Sequence, residues 1–169
     1  ELTRAEGMMM QDQNEEALEL LLRLAEDAEE YVDCNCQTTD EVQYFAFPTL
    51  FDRLAYRRVE NDPRKLEDVA EPFDRLYGDL AMAYVRTGDY ESAMNALKTA
   101  IRWNPMNCGF RLDLADLFKI AGDIREQMAL TFGVFERASE ARHLTRAFLN
   151  FAAWFEAQGR LEQAAACLR

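Results

Sequence analysis

Few residues in this chain stand close enough in sequence to do chemistry together. Cys34-Asn35-Cys36 offers two thiolates to a soft metal. A structural zinc site needs four ligands, and no second Cys or His pair follows at a matching spacing. His143 is the single histidine. A nucleophile–base pair would need Ser139 or Cys167 brought to it, and neither sits in a recognisable motif. A helix-start or surface histidine is the expectation. The glycines fall singly, so no phosphate-cradling loop is formed. Among 31 Asp and Glu, no pair is set apart as acid and base. Trp103, Trp154, Phe148, Phe151 and Phe155 have the ring content of an aromatic cage. Phe148, Phe151 and Phe155 follow a helical stripe, however, which predicts core, with Trp154 off the stripe. Arg53, Arg57, Arg58, Arg64 and Lys65 cluster around Tyr56, and are expected to pair with the acidic N-terminal helix. The residues therefore predict no enzyme, no metal and no cofactor.

Charge and length narrow the partner. The chain has 169 residues, 49% of them apolar, and a formal net charge of −12. That is enough apolar material to bury a core and to argue against general disorder. Residues 1 to 33 carry eleven acids and two arginines, a net of −9, against −3 for the rest. A negative field repels phosphate backbones, so nucleic acid is not the expected partner. No uncharged run approaches the roughly 20 residues that span a bilayer, so a membrane is not expected either. Four cysteines in a chain of this size predict reduced thiols and a cytoplasmic setting. The chain begins at Glu1 without a methionine, so a removed leader stays open.

The elements that must position any site are helices. With 4 prolines and 7 glycines, punctuation is sparse. Residues 1 to 13 show no firm period. A helix of about five turns is predicted from Asn14 as N-cap, with Leu18, Leu21, Leu22, Ala25 and Val32 on its apolar face. Asp33 to Asp40 is a polar break, and Pro48 interrupts the aromatic run Val42 to Leu50. Thr49 is predicted to start a second helix with Asp52 as its capping partner, carrying Leu50, Phe51, Leu54, Ala55 and Val59 inward. Arg64 to Glu71 reads as a charged connector. From Pro72 the helices come in pairs: Pro72 to Thr87 with Tyr90 to Asn104, Asn107 to Ala121 with Ile124 to Ala138, and 141 to 158 with Leu161 to Arg169. Gly88, Gly122 and Gly159 mark the turns, 34 and 37 residues apart.

That period, with these residues, resembles the tetratricopeptide repeat family. Tyr77, Leu80, Ala81, Tyr84, Ala93, Leu97, Ala100 and Pro105 match its pattern in the first full unit. In the second, Leu114, Ala115, Phe118 and Gly122 fit, but Arg111 replaces the first aromatic and Gln127 the packing alanine. The third shows Phe148, Phe151, Ala152, Phe155, Gly159 and Ala164. The resemblance covers 74 to 169, as repeats 74–107, 108–141 and a truncated 145–169. Residues 1–71 are then an N-terminal helical cap or a degenerate helix pair, and the whole a single compact all-α domain.

Such repeats stack into a right-handed superhelix whose concave groove is lined by the first helix of each pair. The resemblance implies Arg75, Gly78, Asp79, Met82, Val85 and Arg86 as lining residues in the first unit. In the second they are Gly109, Leu112, Asp113, Asp116 and Lys119, and in the third Arg146, Leu149, Asn150, Ala153 and Glu156. The implied partner is an extended or helical peptide or protein segment. Repeats that clamp a terminal carboxylate need Lys and Asn at places held here by Gly78, Met82, Asp113, Arg146 and Asn150. Only Arg146 keeps the charge, and Asp113 would repel a carboxylate, so that mode is not expected. The alternatives are self-association through an apolar C-terminal edge at Leu161, Ala164, Ala165 and Leu168, or regulation of an attached domain. Because the last helix stops after about two turns, the domain is expected either to be cut from a longer protein or to have that edge covered by another chain.

Overall fold

The structure, a computed structural model, describes residues 1–169. It contains nine α-helices and one two-stranded sheet, in two compact units, Glu1–Pro105 and Met106–Arg169. The chain is an all-α helical repeat fold with this small β insertion in its first unit.

The first unit opens with a helix where no period was expected. Helix α1 spans Leu2–Met10 and buries Ala5 and Met9, one helical turn apart. It packs on α2, Asn14–Asn35, which buries Ala17, Leu20, Leu21, Ala25 and Ala28. Leu22, expected inward, is 38% exposed. Asn14 is the first residue of α2 rather than its cap. Its side-chain oxygen instead accepts from Arg86 at 3.2 Å. Residues 2–35 are thus two packed helices, followed within residues 1–71 by two strands and a third helix.

The insertion corrects three readings. Strand β1, Val42–Phe45, pairs in parallel with β2, Lys65–Asp68, in the register Val42 to Lys65 and Phe45 to Asp68. The expected charged connector is therefore partly strand. Parallel strands need a crossover, and α3, Leu50–Glu60, supplies it. Thr49 caps α3 by accepting from the Asp52 amide at 3.2 Å, as its sequence predicts. The inward face differs. Tyr56 is the buried residue of α3, while Leu50, Phe51 and Leu54 are exposed. Phe45 decides this, because its ring centroid lies 4.5 Å from that of Tyr56 and fills the space under the helix. Arg53, Arg64 and Lys65 pair within the insertion and not with the acidic helix. Arg53 donates to Asp68 at 2.5 Å and to the Leu66 carbonyl at 2.6 Å. Arg64 donates to Asp62 and to Gln43. Burial, with the hydrogen bond from its hydroxyl to Asp62, pushes Tyr56 up to about 12. The Arg64 hydrogen bonds hold the Asp62 carboxyl well below the usual carboxylate range.

The hairpin of α4, Phe73–Thr87, and α5, Tyr90–Trp103, completes this unit. Gly88 closes α4 at φ 86, a left-handed value that a side chain would strain. Asp89 then caps α5 through the Ser92 amide at 3.0 Å. Ala81 and Ala93 are buried, which lets the two backbones approach, and Tyr77, Leu80 and Leu97 fill the space beside them. A buried polar pair ties the far ends together. Asn104 donates to Asp74 at 2.9 Å, and both are buried.

In the second unit, α6, Cys108–Ile120, pairs with α7, Ile124–Gly133. The next pair is α8, Ala141–Ala157, with α9, Leu161–Cys167. Asn107 caps α6 through the Gly109 amide at 2.9 Å, and Asp123 caps α7 through the Glu126 amide at 3.0 Å. Helix α7 ends earlier than expected. Its amides at Val134, Phe135 and Arg137 turn to carbonyls three residues back, which tightens the chain out of α-helix. Cys108, Leu112, Val134 and Ala147 form the core. The ring stripe of α8 is only partly buried: Phe148 is 42% exposed, and Phe135 reaches it at 5.0 Å between centroids.

Candidate functional site

The first helix of each hairpin was expected to present the binding surface, and each unit is taken in turn. On α4, Met82 is 48% exposed and Gly78 and Val85 are half-buried. The charged candidates there are already engaged by α1. Arg75 donates from Nε to Glu6 at 2.5 Å. Arg86 donates to the Met9 carbonyl at 2.5 Å as well as to Asn14. Asp79 sits half-buried beside Glu6, with one carboxylate oxygen buried and without a partner. Burial, then the neighbouring Glu6 charge, pushes its carboxyl up to about 7. So α1 supplies residues that the sequence reading missed. Leu2, Ala5 and Met9 were already at helical spacing, but the consecutive apolar residues Met8, Met9 and Met10 blurred the period.

In the second unit the candidates divide. Leu112 is fully buried and belongs to the core, so it does not line a surface. Its place on α6 puts it over Val134 and Ala147, which no single-helix pattern reveals. Gly109 is half-buried behind the Asn107 cap, where an added Cβ would meet the Asn107 oxygen at 3.0 Å. Asp113 and Asp116 are both held by Arg146 of α8, at 2.6 and 2.7 Å. Three charges expected to face a ligand are thus spent on one another across α6 and α8. Lys119, Leu149, Ala153 and Glu156 are exposed, and Asn150 is half-buried, donating to Thr131 at 3.4 Å.

The remaining chemistry-bearing residues do not converge. Cys34 is exposed while Cys36 is buried, and all four cysteines are free. No group of three or more His, Cys, Asp or Glu side chains is placed to hold a metal ion. His143 lies in the first turn of α8, and partial burial lowers its pKa. The rings run in a row from Phe132 at the end of α7 through Phe135 to Phe151 and Trp154 of α8, edge to face at both ends and tilted in the middle, a row rather than a cage. No helix is long and apolar enough to cross a membrane.

Comparison with known proteins gives a match to a family model. Residues 74–107, the α4–α5 hairpin with its closing proline, match the model of the tetratricopeptide repeat. No curated protein matches the chain. Among solved structures, a crystal structure of MamA is similar at 13% identity, covering 96% of this chain and 89% of that one, with a TM-score of 0.48. The paired small residues Ala81 and Ala93, the left-handed Gly88 and the family match over the same hairpin agree, and residues 74–107 form a tetratricopeptide repeat.

Proposed function

We propose that this protein is a non-enzymatic scaffold that holds a peptide or protein segment on the first helices of its hairpins. A general role in protein interaction follows from the repeat it carries. The finer reading is supported by one observation: apolar side chains are exposed on those helices beside arginines already paired within their own unit. Met82 on α4 and Leu149 on α8 are 48% and 52% exposed. Arg75 and Arg146 are already paired with carboxylates of their own unit. Each such face, taken by itself, fits a segment that brings apolar side chains and little charge. The −12 net charge of the chain disfavours nucleic acid. Reduced thiols fit a cytoplasmic setting.

The test is capture of partners by the protein and by its Met82→Glu and Leu149→Glu variants. Both sites are exposed, so the fold should persist, while binding to the wild-type partners is lost. Retained capture by both variants overturns the reading. Self-association is the second reading, favoured by Leu161 and Leu168 of the last hairpin, 66% and 63% exposed. There, Leu161→Glu should shift the sedimentation of the protein to that of a monomer.

A further inference from the structure

Gln127 breaks the pattern of its own fold. It stands five residues after the turn glycine of its hairpin, where the other two hairpins have Ala93 and Ala164. All three positions are buried, with Gln127 at 5% exposure. A small residue there lets two helices approach, and a glutamine brings a polar amide into the same space. The Gln127 side-chain nitrogen donates to no group of the protein. The amide is not sealed off from solvent, and it is free to meet a ligand in the space it borders. Departures of this kind from local consistency concentrate at functional positions.

The amide borders a cavity of about 280 Å³ between the end of α6, the start of α7 and α8. Ile124, Ala153 and Trp154 give it apolar walls, and Lys119 and Asn150 stand with Gln127 as its polar groups. The orientation of Asn150 follows from its bonds. Its NH2 donates to Thr131 at 3.4 Å, and the Thr131 hydroxyl donates to the Gln127 carbonyl at 2.8 Å. That leaves the Asn150 oxygen as an acceptor beside the Gln127 donor. A peptide group carries one donor and one acceptor to match them. A cavity of roughly 150 Å³ already accepts a benzene ring, so a large side chain fits. Charge selects further. Residues 106–169 contain eight acids and eight basic residues, so the whole −12 belongs to residues 1–105. With no net field from this unit to offset it, a carboxylate would lose hydration against the Ile124, Ala153 and Trp154 walls, a cost an uncharged side chain does not meet.

We propose that this cavity is a socket for one bulky uncharged side chain of a peptide, of leucine or phenylalanine size, whose neighbouring peptide group is held by Gln127 and Asn150. The socket rests on the groove reading above and names what its second unit grips. The test titrates the N-acetyl methylamides of leucine, phenylalanine and aspartate into isotope-labelled protein, following the Trp154 indole and Gln127 side-chain signals by NMR. The leucine and phenylalanine probes shift both signals saturably, and the aspartate probe binds about tenfold more weakly or worse. Gln127→Ala restores the residue of the other hairpins, folds, and weakens the apolar probes by about tenfold. Ala153→Trp, at an exposed position, fills the cavity and does the same. No saturable shift in the wild type, or unchanged binding by both variants, overturns the socket. If partner capture still depends on Met82 and Leu149 in that event, the groove reading stands without it. If capture is indifferent to those residues while the probes bind, the groove reading fails and the socket does not.

Discussion

Replacing Asp79 by asparagine should make the protein less sensitive to pH, and the structure sets the size of the effect. Asp79 lies on α4 facing Glu6 of α1, with Arg75 the only nearby cation, and Glu6 already takes that cation's hydrogen bonds. Burial first, and the Glu6 charge second, push the Asp79 carboxyl from an ordinary 3.8 up to about 7. An acid whose midpoint is raised in the folded state holds its proton more tightly when folded. Its contribution therefore falls as pH rises through that window, and is lowest above pH 7. At about 1.4 kcal/mol for each pH unit, the full window would give a ceiling of about 4 kcal/mol. The carboxyl is only partly buried and α1 is a short helix, so solvent screening lowers this to about 1–2 kcal/mol. Asp79→Asn removes the titrating group and keeps the shape. Its stability relative to wild type, from urea unfolding, should rise by about 1 kcal/mol between pH 5 and pH 8. Carbon NMR of the wild-type Asp79 carboxyl should titrate near neutrality. A flat difference across that range, with an Asp79 midpoint near 4, would refute the electrostatic account of how α1 meets α4.

Other perturbations test other links. Asn104→Ala leaves the buried Asp74 carboxylate short of its donor, and should cost about 1–3 kcal/mol in urea unfolding of the first unit. Leu112→Glu puts a charge into the core of Cys108, Val134 and Ala147, so circular dichroism should show loss of helix. Met82→Glu, on an exposed face, should change stability by no more than about 0.5 kcal/mol. Gly88→Ala forces a side chain onto φ 86 and should lower stability by about 1 kcal/mol by the same measurement.

The hairpins were legible because their signals are local. Gly88, Gly122 and Gly159 all take positive φ, and Thr49, Asp89, Asn107 and Asp123 each accept from a nearby amide. Turns and caps of that kind involve residues two or three apart, so the order of amino acids carries them. The β insertion was hidden because its pairing is not local. Lys65-Leu66-Glu67-Asp68 has little strand character of its own and becomes a strand by meeting Val42 to Phe45, over twenty residues earlier. The outward turn of Leu50, Phe51 and Leu54 has the same origin, since Tyr56 wins the inner place through Phe45. At the candidate site, the family resemblance named Met82 and Leu149, and both are exposed. It could not separate them from Leu112, because burial there depends on which neighbouring helix covers the face. Gln127 was visible as a departure from the repeat, and only the cavity beside it gave the departure a meaning.

A photo-crosslinking amino acid placed at four exposed positions tests the account most directly. Met82 and Leu149 lie on the first helices of their hairpins, while Tyr90 and Leu161 begin the second helices. The account predicts partner adducts from positions 82 and 149 and none from 90 and 161. Adducts of the same partners from 90 and 161, with none from 82 and 149, would contradict it.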